Sequence, residues 1–290
     1  MQLHNNIFQI MEFFRPTPAL FPDDYQLASQ QLKQILSAKK PDTFQLIALI
    51  SQFNQNERVE IANLYPTEQL FSTFDCNFKS DFLALLQALF TPRYTVFAKL
   101  LNFVLTNSSK LAPILPYCIT VPDLLELQKV ENFAPLFEQK LGKLGLQMTQ
   151  KVENCQATPE QLKSELNKGN FEENLAYVIQ NLHFSFWQEF IAKNENFSAE
   201  IKEKVPESEK FIAASEAKND MFKSVGKCLK LCVKGLGTQD EELIGLSAVF
   251  GDRMRNKIIK GCYDGDVVKE LKMDLSGDYE KLVLAVWGLE

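Results

Sequence analysis

Two closely spaced glycines, Gly235 and Gly237, form the segment of the sequence whose chemistry is easiest to predict. Because glycine adopts positive φ angles without strain, this backbone can fold tightly and direct successive carbonyl oxygens toward one point. Such a turn suits a hard cation, since calcium takes about six to eight oxygen ligands and accepts carbonyls among them. A carboxylate from elsewhere in the chain is still needed, and Asp274 is the candidate.

An ordinary helix–helix turn explains the same residues without any ligand. Thr238 and Glu241 have the spacing of a capping box, in which each side chain binds a free backbone amide at the start of a helix. Asp240, Glu241 and Glu242 stand where the helix dipole favours negative charge. Both interpretations of the turn remain open at this point.

The elements that must position these residues are predicted to be helices. Apolar residues recur at helical spacing in several segments, and strand-like alternation is nowhere sustained. Three such stripes are Phe82, Leu83, Leu86, Leu89 and Phe90; Phe222, Val225, Leu229, Cys232 and Val233; and Tyr279, Leu282, Val283 and Val286. Breaks are predicted near 39–42, 54–56, 106–110, 167–171, 234–238 and 275–277.

A weak internal repeat organises these helices. The segments Leu46 to Tyr65 and Leu243 to Tyr263 both run from an apolar helix, through a polar break, into a second amphipathic helix. The segments Leu111 to Phe133 and Leu175 to Ile191 fit the same scheme, which gives a period of roughly 60 to 75 residues. Four repeats would fill the chain.

The sequence resembles the annexin family. The strongest similarity lies in the segment Val233–Glu241, which contains a K-G-x-G-T loop, and in the later D-x-S-G segment Asp274–Tyr279. The first repeat also matches, through Leu46–Tyr65 and through Phe82–Phe90 with the Thr-Pro-Arg that follows it, whereas the middle repeats match only in apolar pattern and length. The chain resembles a divergent member of the family, similar to protist annexins such as the alpha-giardins.

This resemblance implies an all-α fold of four helical repeats in a right-handed, slightly curved array. The expected division is an N-terminal segment 1–22, repeat 1 at 23–95, repeat 2 at 96–156, repeat 3 at 157–216 and repeat 4 at 217–290. It also implies a calcium site whose ligands are the carbonyls of Val233, Gly235 and Gly237 and both carboxylate oxygens of Asp274. Lipid phosphate would complete the coordination shell.

The other three repeats depart from the family pattern. Repeat 1 has no glycine in its loop, residues 37–42, and Asn77 stands where the carboxylate is expected, so its calcium site is predicted to be lost. Repeat 2 also lacks glycine in its loop, residues 106–110, and offers no matching acid. Repeat 3 retains Gly169, with Glu207 as a misaligned candidate partner, and whether it binds calcium is left open.

Composition limits the functions that this chain can have. Its 290 residues carry 31 Lys and Arg against 37 Asp and Glu, and the net charge of −6 gives no field that would gather nucleic acid. An acidic protein is also repelled by acidic lipid, so membrane binding needs a bridging cation. No nucleophile elbow, phosphate-binding loop or dinucleotide motif occurs, and the chain is predicted not to be an enzyme.

The sequence also predicts a cytoplasmic location, peripheral on the inner face of membranes. No apolar run approaches the roughly 20 residues that cross a bilayer, and the first residues do not resemble a secretory signal. The six cysteines show no CxxC pair, which favours reduced thiols.

The predicted function is calcium-dependent binding to anionic phospholipid without catalysis. The alternative is a cytoskeletal or scaffold protein of the same fold that binds little calcium or membrane, with cytoskeletal proteins as partners. Lys39 and Lys40, in the loop of repeat 1, are either solvated surface charges or a weaker, salt-sensitive replacement for the lost calcium.

Overall fold

The described part of the chain is almost entirely helical. The computed structural model describes residues 22–65, 67–149, 159–166, 168–181, 184–234 and 239–289, and this part contains no β-strand. The all-helical fold class predicted from the apolar spacing is confirmed. None of the described helices is long and apolar enough to cross a membrane.

The helices follow one another with short connections. In the first half of the chain they are α1 (Pro22–Ser37), α2 (Thr43–Ile50), α3 (Gln55–Leu64), α4 (Thr67–Asn77), α5 (Ser80–Phe90), α6 (Arg93–Thr106), α7 (Val121–Leu127) and α8 (Phe133–Thr149). In the second half they are α9 (Pro159–Leu166), α10 (Phe171–Asn181), α11 (Phe184–Lys193), α12 (Phe197–Lys204), α13 (Ser208–Asn219), α14 (Met221–Val233), α15 (Asp240–Phe250), α16 (Lys257–Cys262), α17 (Val267–Asp274) and α18 (Gly277–Trp287).

The chain folds into two compact units. The first unit comprises Met1–Val96, Val233–Lys260 and Asp266–Glu290, and the second comprises Phe97–Cys232 with Gly261–Gly265. The first unit therefore combines segments from both ends of the chain, and it contains most of the predicted first and last repeats. The division of the chain into four repeats stays a prediction.

Side-chain caps fix where the helices of repeat 1 begin. The carboxylate of Asp42 accepts hydrogen bonds from two backbone amides at the start of α2, at 2.9 and 3.1 Å. Asn54 forms a capping box with Glu57 at the start of α3. These caps satisfy amides that have no partner within the helix. The helix pair predicted for Leu46–Tyr65 is thus confirmed, and α15 with α16 form the corresponding pair near the C-terminus.

The core of the first unit is formed by packing the two ends of the chain together. Helix α15 packs against α5, and α18 packs against α2 and α5. The apolar stripe predicted on α5 is buried at Phe82, Leu86, Leu89 and Phe90, and that on α18 is buried at Leu282, Val283 and Val286. These predicted stripes are therefore core-facing, as their spacing indicated.

A buried polar network lies within this core. Arg93 donates two hydrogen bonds to the carboxylate of Asp252, both at 2.9 Å, and the backbone amide of Gln55 donates a third at 2.7 Å. Nη2 of Arg58 lies 3.8 Å from Oδ2 of Asp252. Burial lowers the pKa of the Arg58 guanidinium to about 10 although the carboxylate opposes this shift. The network joins residues from both ends of the chain.

The second unit has an aromatic core around Trp187. The indole Nε1 of Trp187 donates to the carbonyl of Ser215 at 3.1 Å, and the rings of Phe190 and Phe197 lie 5.6 and 6.0 Å away. In the predicted repeat 2 the first helix is reduced to a 3-10 helix, Leu115–Tyr117. Prolines in this segment explain the difference, because they cannot donate the amide hydrogen bonds of a longer α-helix.

Candidate functional site

Asp274, the predicted carboxylate ligand, lies at the end of α17 and lines a cavity of about 320 Å³ in the first unit. The other walls are formed by residues 79–82, by Asp240 at the start of α15 and by Tyr279 in α18. Three aspartates line this cavity, namely Asp81, Asp240 and Asp274. We refer to it as the carboxylate pocket.

A glycine-dependent turn holds Asp274 at this pocket. The backbone is extended at Leu275 and Ser276, and Gly277 then adopts a φ of +66° before α18 begins. A side chain at that φ is strained, so the turn favours glycine. The D-x-S-G segment singled out in the sequence is therefore the connection between α17 and α18.

Helix polarity explains why the other two acids lie here. Asp240 is the first residue of α15, and Asp81 is in the first turn of α5. The positive end of a helix dipole stabilises carboxylates at such positions. Because α15 and α5 pack against each other and both begin at the carboxylate pocket, their first turns bring Asp240 and Asp81 close to Asp274.

Three carboxylates against the one ammonium group of Lys79 make the pocket electrostatically negative. The pKa of Asp240 is raised above its ordinary value, first by burial and then by repulsion from Asp81 and Asp274, while a hydrogen bond with Tyr279 opposes this rise. A carboxylate that is harder to ionise because of neighbouring acids is stabilised by any cation placed among them. The pocket thus favours a cation.

The structure describes only some of the predicted calcium ligands. Val233 is the last residue of α14 and is buried. Gly235 and Gly237 lie outside the described residues. In the sequence they lie between α14 and α15, a few residues before Asp240, which lines the carboxylate pocket. The ligand set of Val233, Gly235, Gly237 and Asp274 stays a prediction.

The residues present fit calcium in charge and in donor type. Within the described ranges, no group of three or more His, Cys, Asp or Glu side chains is arranged to hold a metal. The predicted set does not require such a group, because it combines backbone carbonyls with the carboxylate of Asp274. Oxygen donors of this kind suit a hard cation such as calcium better than a softer metal.

Repeat 1 contains the same turn without the acid. Helix α4 ends at Asn77, Lys79 is extended, and Ser80 has a φ of 54° at the start of α5. Asn77 therefore occupies the position of Asp274, and Ser80 that of Gly277. The amide Nδ2 of Asn77 donates to the carbonyl of Thr73 at 2.9 Å. This geometry agrees with the sequence alignment that predicts a lost calcium site in repeat 1.

The candidate residues of repeat 3 lie in the second unit. Gly169 has a φ of +67°, as a tight turn requires. Glu207 forms an ion pair of 2.5 Å with Lys210, and this hydrogen bond lowers the pKa of the carboxyl. The carboxylate of Glu207 is thus already neutralised by a neighbouring lysine.

Sequence reasoning did not assign Asp81 to this site, and it explained Asp240 only by the helix dipole. The two residues are far apart in the sequence and belong to no shared motif. Only the packing of α5 against α15 brings them together. An acid in the first turn of a helix is common, so the sequence contained no specific signal for their shared role.

Solved structures share this arrangement of helices. Annexin III aligns with a TM-score of 0.74 at 15% sequence identity, over 95% of this chain and 96% of that chain. The chain has the annexin fold. Chicken annexin V in complex with zinc aligns with a TM-score of 0.71 at 15% identity, over 94% of this chain and 98% of its own. Calcium-bound alpha-1 giardin aligns with a TM-score of 0.72 at 17% identity, over 92% and 99% respectively.

No family model matches the sequence. The similarity to annexins is therefore one of fold, at identities well below those that carry a function from one protein to another. At that level, the resemblance to annexins and alpha-giardins predicted from the sequence is confirmed.

Proposed function

We propose that the protein binds anionic phospholipid membranes in a calcium-dependent manner, as a peripheral and non-catalytic protein at the inner face of the membrane. The carbonyls of Val233, Gly235 and Gly237 and the carboxylate of Asp274 would hold the calcium ion. When bound, calcium supplies the positive charge that links an acidic protein to lipid phosphate.

The observation that carries this proposal is the position of Asp274. It lies in a negative pocket whose wall includes Asp240, the first residue after the loop with the two predicted carbonyl ligands. A loop carbonyl and a distant carboxylate can contribute to one site only if the fold brings them together. The annexin fold of the chain and the calcium-bound alpha-1 giardin of the same fold also support the proposal.

The test is co-sedimentation with phosphatidylserine vesicles in calcium and in chelator, using Asp274→Asn. This change keeps the size of the side chain but removes its charge. Loss of even an outer-shell group typically weakens metal binding by about 10- to 100-fold, so we expect at least about a tenfold rise in the calcium concentration for half-maximal binding. The helical fold should not change, because Asp274 is only partly buried.

Asp266→Asn is the matched control, because it makes the same substitution at the opposite end of the same helix. Asp266 caps α17 by accepting a hydrogen bond from the amide of Lys269 at 3.0 Å, and asparagine caps helices about as well as aspartate. We expect its calcium dependence to match that of the unmodified protein. Equal binding of the two variants at every calcium concentration would contradict the assignment of Asp274.

A scaffold function, with cytoskeletal proteins as partners, is the second candidate. It is favoured by the amide of Asn77 at the position equivalent to Asp274, and by the ion pair that neutralises Glu207. A protein with so few intact sites would need another source of binding energy. Equal pelleting with vesicles in calcium and in chelator, together with co-sedimentation with polymerised cytoskeletal filaments, would favour this function over the first.

A further inference from the structure

A second cavity of about 400 Å³ adjoins the carboxylate pocket in the first unit. Its walls are the loop between α1 and α2, the end of α4 with the residues that follow it, and the start of α18. Lys40 from the loop and Lys79 from the turn after α4 both line it. We refer to it as the lysine pocket.

The charge of this pocket is positive. Lys40 and Lys79 are exposed, and neither forms an ion pair within the part of the chain that the structure describes. Two acids near this pocket are already engaged. Asp278, in the wall, forms an ion pair of 3.1 Å with Lys281, and the carboxylate of Asp42 caps α2. Two lysines that form no ion pair within the described residues therefore line one cavity.

The lysine pocket is the repeat 1 counterpart of the calcium turn with its charge reversed. Asn77 stands at the position of Asp274 and removes the negative charge, while Lys79 stands at the position of Ser276 and adds a positive one. In repeat 4 the turn would need a bound cation to attract phosphate. In repeat 1 the equivalent turn and the neighbouring loop supply lysines instead. Ammonium groups bind phosphate oxygens directly.

Two exposed apolar side chains indicate that the phosphate belongs to a membrane. Phe44, next to Thr43 in the wall of the lysine pocket, is 75% exposed. Met273, next to Asp274, is 76% exposed. They are the most exposed large apolar residues in the described part of the chain. An apolar side chain beside a phosphate site gains nothing from free phosphate, but it can enter the boundary between headgroups and acyl chains.

We propose that the lysine pocket binds the phosphate of an anionic lipid headgroup directly, without calcium, with Phe44 inserted beside it. The pocket shares Lys79, Phe82 and Tyr279 with the carboxylate pocket, so the two adjoin and would meet the same membrane surface. The proposal rests on the membrane surface being the ligand, as in the proposed function, but it does not depend on the calcium ligands.

The test measures binding to phosphatidylserine vesicles in chelator, with phosphatidylcholine vesicles as the uncharged reference. Lys40→Gln with Lys79→Gln should lower the partition coefficient about thirtyfold, which equals about 2 kcal/mol for two lysines near an anionic surface. Lys40→Gln alone, which leaves the carboxylate pocket intact, should lower it about fivefold. The binding should also be weaker at about 1 M than at about 0.01 M salt, where screening is far smaller.

The matched control is Lys33→Gln with Lys260→Gln, which removes the same charge from two exposed lysines that do not line the pocket. An equal loss of binding in this control, or no binding in chelator at low salt, would overturn the proposal. Phe44→Ser should weaken vesicle binding about tenfold, whereas Leu64→Ser, at a residue 49% exposed, should not. If Phe44→Ser bound vesicles as well as the unmodified protein, and inorganic phosphate abolished vesicle binding, the pocket would be a site for free phosphate and the membrane ligand would be refuted.

The calcium arm of the same experiment separates this proposal from the proposed function. Asp274→Asn should not weaken binding in chelator, because it removes only a negative charge, and Lys40→Gln should leave the increment caused by calcium unchanged. If the unmodified protein bound vesicles in chelator but calcium added nothing to this binding, the calcium bridge would be refuted and the lysine pocket would remain supported. If the unmodified protein bound vesicles only in calcium, the lysine pocket would be refuted and the calcium bridge would remain supported.

Discussion

Asp252→Asn is expected to destabilise the first unit strongly. The carboxylate accepts two hydrogen bonds from Arg93 and one from the amide of Gln55, and it lies 3.8 Å from Nη2 of Arg58. The side chains of Asp252 and Arg58 are each 1% exposed, and that of Arg93 is 10% exposed. Asparagine keeps the shape of the side chain, but two guanidinium groups then remain buried without their counter-ion.

The magnitude follows from this burial. Breaking a buried ion pair by removing one charge costs about 3–5 kcal/mol, because the remaining charge keeps its desolvation penalty. The asparagine amide also presents two hydrogens where a carboxylate oxygen accepted hydrogen bonds, so at most two of the three hydrogen bonds are kept. We therefore expect a loss of about 4 kcal/mol in the free energy of unfolding. At a slope of about 2 kcal/mol/M, the urea midpoint falls by about 2 M.

The assay is urea unfolding followed by tryptophan fluorescence. The chain has two tryptophans, and Trp287 lies in the first unit while Trp187 lies in the second. A Trp187→Phe background therefore makes fluorescence report on the first unit alone. The control is Asp278→Asn, which removes an acid of the same unit from a solvent-exposed pair with Lys281 and should cost no more than about 1 kcal/mol. Equal midpoints for the two variants would refute the reasoning.

Two further predictions concern packing in each unit. Gly226→Ala should destabilise the second unit by about 1–3 kcal/mol, because a Cβ there would lie 2.5 Å from the carbonyl oxygen of Cys262. The control Gly261→Ala, whose Cβ would meet no atom within 4 Å, should be neutral or stabilising. Equal melting temperatures of the two variants in thermal unfolding would contradict this prediction. Trp287→Phe should cost at least about 1 kcal/mol by leaving the buried hydroxyl of Ser247 without its 2.9 Å donor, in addition to the lost packing of the indole. A double-mutant cycle with Ser247→Ala should give a coupling energy of about 1 kcal/mol, and additive effects would contradict the prediction.

Much of the fold could be predicted from the sequence because helices are specified locally. The stripe on α5 has helical spacing, and the predicted breaks near 39–42 and 275–277 lie where one helix ends and the next begins. Caps such as Asp42 also depend on residues within one turn. The pairing of both chain ends in one unit could not be predicted, because the packing of α15 on α5 depends on shape complementarity between distant segments.

The candidate site divides in the same way. The motif around Asp274 was visible in the sequence, because its turn depends on the positive φ of Gly277 only three residues later. The replacement of the acid by Asn77 in repeat 1 was visible for the same reason. The shared pocket of Asp81, Asp240 and Asp274 was not visible, since it requires two helix N-termini to be brought together by packing.

The sequence by itself determined the helices, the turns and the residues with the chemistry of a cation site. Each of these depends on interactions within a few residues, such as a cap, a glycine φ angle or an apolar stripe on one helix face. Only the tertiary structure decided which charges meet. It buried Asp252 between Arg58 and Arg93, gathered three aspartates in one pocket and placed Lys40 beside Lys79 in the next. Electrostatic interactions depend on distance in space and on burial, and the order of the residues along the chain does not determine either directly.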